Sequence, residues 1–120
     1  MTLVLVVEDE PLIRLNAVSL LEKAGFDTVE AASAEKAIAL LEARSDIRIV
    51  FTDINLPGGM DGLRLAHAIR RRWPPIELVL TSGHVQVRGE DMPERGHFLS
   101  KPYGGPELVE TVRSLLHQRA

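Results

Sequence analysis

The chain has 120 residues, a hydrophobic fraction of 45%, no cysteine and a formal net charge of −3. That length suits one domain with a core of its own. The lack of cysteine excludes disulfides, thiolate metal sites and cysteine nucleophiles, as in a reducing cytoplasm.

Leu3 to Val7 is a continuous apolar run, as in a strand buried on both faces. It is far shorter than the ~20 residues that span a bilayer. It also lacks the basic n-region of a signal peptide and ends in Glu8-Asp9-Glu10. Pro11 suits the first turn of a helix. Leu12, Leu15, Leu20, Leu21 and Ala24 recur at near-helical spacing, and Gly25 ends the helix. Thr28 to Ala31 is a short second strand. Ser33 can cap a helix that carries Ala37, Ile38, Leu40 and Leu41.

The third strand, Ile47 to Thr52, ends at Asp53, and a turn-rich loop follows from Asn55 to Gly59. A helix from about Asp61 to Arg72 is expected to bury Leu63, Leu65, Ala66 and Ile69, and Pro74-Pro75 closes it. Its basic end, Arg70-Arg71-Arg72, reads as pairing with the helix dipole rather than as a nucleic-acid patch. The net charge also lacks the basic face that nucleic-acid phosphates demand, so no direct nucleic-acid contact is expected. Glu77 to Thr81 is the fourth strand, running into Ser82-Gly83. Val85 to Gly96 holds glycines, a proline and many charges and supports only a short helix. His97 to Ser100 is a fifth strand, followed by Lys101-Pro102. A last helix from near Pro106 is expected to bury Leu108, Val109, Val112, Leu115 and Leu116.

Alternating strands and helices of this length imply a parallel sheet with helices on both faces. The expected architecture is α/β, a flavodoxin-like (βα)5 three-layer sandwich of strand order 2-1-3-4-5, with a short or irregular fourth helix. Ligands of such sheets bind beyond the carboxyl ends of the strands. Those ends carry Glu8, Asp9 and Glu10, then Asp53, Ser82 and Lys101. Carboxylates that converge repel unless a cation joins them. Mg2+, or Mn2+ in its place, is the expected cofactor, because a hard cation takes oxygen ligands. With Lys101 as a point charge and Ser82 as a hydroxyl donor, the set suits phosphoryl transfer to Asp53.

The residues Val6 to Pro11, Thr52 to Pro57, Met60-Asp61-Gly62, Leu80 to Gly83 and Lys101-Pro102 occur in order at these strand ends. In this the sequence resembles the receiver domain of bacterial two-component response regulators, over essentially the whole chain. The resemblance implies that Asp53 accepts a phosphoryl group from a phosphohistidine of a sensor histidine kinase or a histidine phosphotransfer protein. It implies that Asp9 is a direct metal ligand, that Glu8 acts through water, and that the backbone carbonyl of Asn55 completes the set. Ser82 is then the switch hydroxyl, Lys101 the partner of the phosphate, and Phe98 the switch aromatic. The family's usual cis peptide bond falls at Lys101–Pro102.

Three departures stand out. The loop from Asp53 to Asp61-Gly62 carries one extra residue, at Gly58-Gly59. The switch aromatic has no hydroxyl. The fourth helix, part of the family's usual output surface, is poorly formed. The whole chain, 1-120, is expected to be one receiver domain without an output domain, acting in the cytoplasm as a monomer or weak homodimer on a downstream protein. An isolated receiver fragment of a larger hybrid kinase or regulator is the alternative. A metal-dependent aspartyl-nucleophile phosphatase is disfavoured, because the acid such enzymes carry two residues after the nucleophile is here Asn55.

Overall fold

A computed structural model describes residues 2–83 and 89–117, the His117 side chain excepted. Among the described residues there are five strands and four α-helices, in the order β1 Leu3–Val7, α1 Pro11–Lys23, β2 Asp27–Ala31, α2 Ala34–Ala43, β3 Ile47–Asp53, α3 Gly62–Arg72, β4 Glu77–Ser82, β5 Gly96–Ser100 and α4 Gly105–His117. The strands form one parallel sheet in the order β2-β1-β3-β4-β5. The flavodoxin-like architecture expected from the sequence is therefore the one observed.

Alternation along the central strands builds two cores. Leu3, Leu5, Val7, Val50, Leu78 and Leu80 face one side, where Ala37 and Leu41 of α2 and Leu65 and Ile69 of α3 cover them. Val4, Val6, Ile49, Phe51 and Val79 face the other, under Ala17, Val18 and Leu21 of α1 and Leu108, Val112 and Leu115 of α4. Both faces being covered explains why β1, β3 and β4 read as nearly unbroken apolar runs. No helix among the described residues is long and apolar enough to cross a membrane.

The helix boundaries follow local chemistry. Pro11 stands at the start of α1. The Ser33 hydroxyl accepts from the Lys36 N–H at 3.1 Å and caps α2. The Asp61 carboxylate accepts from the Arg64 N–H at 2.8 Å and caps α3. Gly62, the first residue of α3, lies so close to β3 that a Cβ there would stand 1.9 Å from the Asp53 carbonyl oxygen. Only glycine permits that approach.

Burial along the helices departs in places from the simple spacing. Leu12 and Leu15 belong to the apolar recurrence of α1 but are 75% and 60% exposed. The small residues Ala17 and Val18 take the face that packs on the sheet. Leu63, Val109 and Leu116 are half-buried rather than buried. The short helix expected between Val85 and Gly96 is, in its described part, a single 3₁₀ turn, Gly89–Asp91; residues 84–88 lie outside the described residues.

That turn is fastened to α3 by side chains that bond main-chain carbonyls. His67 Nε2 donates to the Asp91 carbonyl at 2.8 Å. Arg70 Nε donates to the Glu94 carbonyl at 2.7 Å. The guanidinium of Arg72 lies 4.4 Å from the ring centre of Trp73, the residue that ends α3, and pairs with Glu42 at 2.6 Å. Arg70 and Arg72 of the basic run are thus spent on bonding, packing and pairing at a helix end.

Candidate functional site

Register brings the strand ends to one level: Val7 lies beside Thr52, Asp53 beside Thr81, and Ser82 beside Ser100. Residues just past those ends must therefore meet at the carboxyl edge. Glu8, Asp9, Asp53, Asn55, Ser82 and Lys101 all do so.

Lys101 Nζ stands between two buried carboxylates, 2.9 Å from Asp53 Oδ2 and 3.0 Å from Glu8 Oε1. Its own N–H donates to the Ser82 carbonyl at 3.1 Å, which carries the β4–β5 pairing one residue further. This fixes the start of a flexible side chain, so its ammonium is aimed rather than free to wander. The Lys101–Pro102 peptide bond is cis. Asp53 Oδ1 accepts from the Asn55 N–H at 3.1 Å. Asn55 Nδ2 donates to Ser82 Oγ at 3.2 Å and so links the loop after β3 to the end of β4. Phe98 is half-buried in β5 against the core shared with α2 and α3.

One carboxylate oxygen from each of Glu8, Asp9 and Asp53 can lie within 4.8 Å of the others. Glu8 and Asp53 are 5% and 6% exposed, and Asp9 is exposed. Burial pushes the Glu8 carboxyl above its ordinary range and the nearby charge of Asp53 adds to this, against the opposing bonds from the Glu10 N–H and Lys101. For Lys101, burial acts to lower the pKa, but the bonds and charges of Asp53 and Glu8 outweigh it and leave the pKa raised. The ammonium is therefore held in its charged form. Three carboxylates against one ammonium leave an excess of negative charge and spare oxygen acceptors, the donor chemistry a hard divalent cation requires.

The sequence reading passed over Arg14 and Tyr103. Arg14 Nη1 donates to the Glu8 carbonyl at 2.8 Å. Its position, a cation near the amino end of a helix, was the available signal. Tyr103 sits edge-on to Phe51, ring centres 5.6 Å apart, and burial raises its pKa. Beside it, an open cavity of about 500 Å3 is bordered by Leu12, Ile13, Asn16, Lys101 and Pro102. The exposed Leu12 of α1 thus lies at the mouth of the site. Nothing in the sequence pattern marked this, because an exposed leucine and a core leucine have the same spacing.

Comparison with known proteins agrees with this geometry. The family model described as the response regulator receiver domain matches residues 4–113. A response regulator receiver protein from Sinorhizobium medicae superposes with a TM-score of 0.92 at 30% identity, over 99% of this chain and 97% of that one. The response regulator TrrA from Thermotoga maritima, solved in complex with Mg(2+)-BeF, gives 0.84 at 27% identity, over 96% and 99%. In sequence, the chain is 32% identical to the sensor kinase CckA of Brucella abortus over 97% of its length, and 34% identical to the nitrogen assimilation regulatory protein NtrX of Azorhizobium caulinodans over 88%. It spans 13% and 24% of the lengths of those two relatives.

Proposed function

We propose, from the premise that this chain belongs to the response regulator receiver domain family, that it is a phosphorylation-dependent switch with Asp53 as acceptor. The carrying observation is the set of contacts around that residue: Lys101 Nζ at 2.9 Å, and the Glu8 and Asp9 carboxylates within cation-sharing reach.

The donor in this reading is a phosphohistidine on a sensor histidine kinase or a histidine phosphotransfer protein. An Asp53 carboxylate oxygen forms the new O–P bond while the P–N bond breaks and its electron pair leaves with the imidazole. An ionised carboxylate carries no proton, so no general base is needed. Mg2+ fits the oxygen donors of Glu8, Asp9 and Asp53 and the Asn55 carbonyl, and when bound it would offset negative charge on the phosphoryl oxygens. That the similar TrrA was solved in complex with Mg(2+)-BeF supports a divalent cation as the cofactor. Lys101, whose ammonium already lies 2.9 Å from Asp53, bonds a phosphoryl oxygen. Ser82, held by Asn55, turns its hydroxyl to another oxygen. That movement vacates space beside β5, which Phe98 fills as the switch is read out.

Residues 1–120 act as one receiver domain, a signalling acceptor rather than a catalyst with its own substrate. Its chemistry is confined to its own transfer and the loss of its own phosphoryl group. The cytoplasm is the compartment where such phosphohistidine donors and Mg2+ meet it. The chain's small share of its curated relatives favours a second reading of the output: a receiver segment that works within a larger kinase or regulator.

The test is incubation with acetyl phosphate and Mg2+, read by intact mass. Wild type gains one acid-labile phosphoryl group and Asp53→Asn gains none. Equal labelling of the two would refute the assignment, and repeated turnover of a generic phosphate ester would refute the switch.

A further inference from the structure

The amino end of a helix favours anions, so a cation there works against the helix dipole. Arg14 is the fourth residue of α1, a helix with no acidic residue in its first turn and no side-chain cap from Glu10. Its place is explained by what it reaches. Nη1 donates to the Glu8 carbonyl at 2.8 Å, and Nε donates to Glu30 Oε1 at 3.0 Å. The Arg14 side chain is 22% exposed, so this contact is partly shielded from water.

The other side of Glu8 is held as well, its N–H donating to the Ala31 carbonyl at 3.0 Å. The Glu8 carbonyl and the Asp9 N–H share one rigid peptide plane. Fixing that oxygen therefore fixes where the Asp9 side chain leaves the main chain, with Glu8 one residue before it. Glu30, at the end of β2, neutralises the guanidinium. The pair adds no net charge beside the carboxylates, and its contribution is one of orientation.

We infer that Arg14, anchored by Glu30, is a positioning residue that presents the Glu8 and Asp9 carboxylates to a divalent cation. This rests on the cation reading proposed above. Groups that orient metal ligands in this indirect way commonly govern affinity by about tenfold or more.

The experiment is calorimetric titration of Mg2+ into the wild type, Arg14→Ala and Arg14→Lys, with thermal unfolding of each in the absence of cation. The expected result is an Mg2+ Kd about tenfold weaker in Arg14→Ala, with partial recovery in Arg14→Lys, which keeps one donor. The cation-free proteins should unfold within a few degrees of one another. Should Arg14→Ala fail to fold, Arg14→Lys carries the test with a Kd between wild type and that tenfold loss. Unchanged Mg2+ affinity in both variants overturns the inference. So does a loss of affinity that only tracks loss of fold, with no rescue by lysine. A wild type that binds no Mg2+ overturns the cation reading itself, a result distinct from either.

Discussion

Two charge clusters flank the strand β4, one at each end, and they are built in opposite ways. At the carboxyl end, Lys101 is shared by Glu8 and Asp53, with Asp9 close by. Negative charge is in excess there and carboxylate oxygens remain available. At the amino end, Arg70 and Arg95 surround the buried Glu77. Several of their donors go to main-chain carbonyls, Arg70 Nη1 to Pro74 and Ile76, each at 2.7 Å, and Arg95 Nη2 to Pro74, while Arg70 Nη2 and Glu77 Oε1 are buried without a hydrogen-bond partner. The charges of Glu77 and Glu94 both act on Arg70, and the arginines' bonds close the turn before β4 and fasten the segment before β5. The first cluster keeps carboxylate oxygens open beside the exposed Asp9; the second directs its bonds to other parts of the chain. A cluster that binds something from outside must leave part of its bonding capacity open, and that openness costs stability in the empty state.

Three substitutions would break or sharpen this contrast. Gly62→Ala has the largest expected effect, because the new methyl group meets the Asp53 carbonyl of a central strand. It should cost about 3 kcal/mol, measured by chemical denaturation, and should lower acetyl phosphate labelling as α3 and the end of β3 move apart. Next comes Arg70→Ala in the amino-end cluster, which loses its bonds to three carbonyls. The expected cost is about 2 kcal/mol, with Mg2+ affinity left as in the wild type. A parallel fall in Mg2+ affinity would show that the two ends are not independent. The smallest effect has the opposite sign. Asp9→Asn relieves repulsion in the carboxyl-end cluster and should stabilise the cation-free protein by roughly 0.5 kcal/mol. Adding Mg2+ should then raise the unfolding temperature of the wild type much more than that of Asp9→Asn. If Asp9→Asn destabilises the cation-free protein, the carboxyl-end cluster is not strained in the way its charges suggest.

The same contrast explains what could be read from sequence. The carboxyl-end site was legible because a parallel sheet fixes where strand ends lie. The runs Leu3–Val7, Ile47–Asp53 and Glu77–Ser82 announce their own ends, and the charged residues stand immediately after them. The amino-end cluster was not legible. Its acceptors are carbonyls of Pro74, Ile76, Asp91 and Glu94, and a carbonyl has no residue type to recognise. For the same reason the segment around Gly89–Asp91 reads only as a poor helix, although α3 holds it with directed bonds. In α1, spacing suggested an apolar stripe that included Leu12 and Leu15. The sheet selects Leu21 of that stripe together with Ala17 and Val18, which lie outside it. A small alanine lets the helix sit close to the strands, and this leaves the larger Leu12 and Leu15 outside, Leu12 at the cavity beside Lys101. Arg14 was overlooked because its partner at Glu8 is again a carbonyl.

Identifying the acceptor residue tests the central claim most directly. Protein treated with acetyl phosphate and Mg2+ can be reduced with borohydride, which converts an aspartyl phosphate to homoserine, and the product mapped by tandem mass spectrometry. Conversion at Asp53 alone is the expected result. Conversion at Asp9, or a stable phosphate on Ser82 with Asp53 untouched, would contradict it.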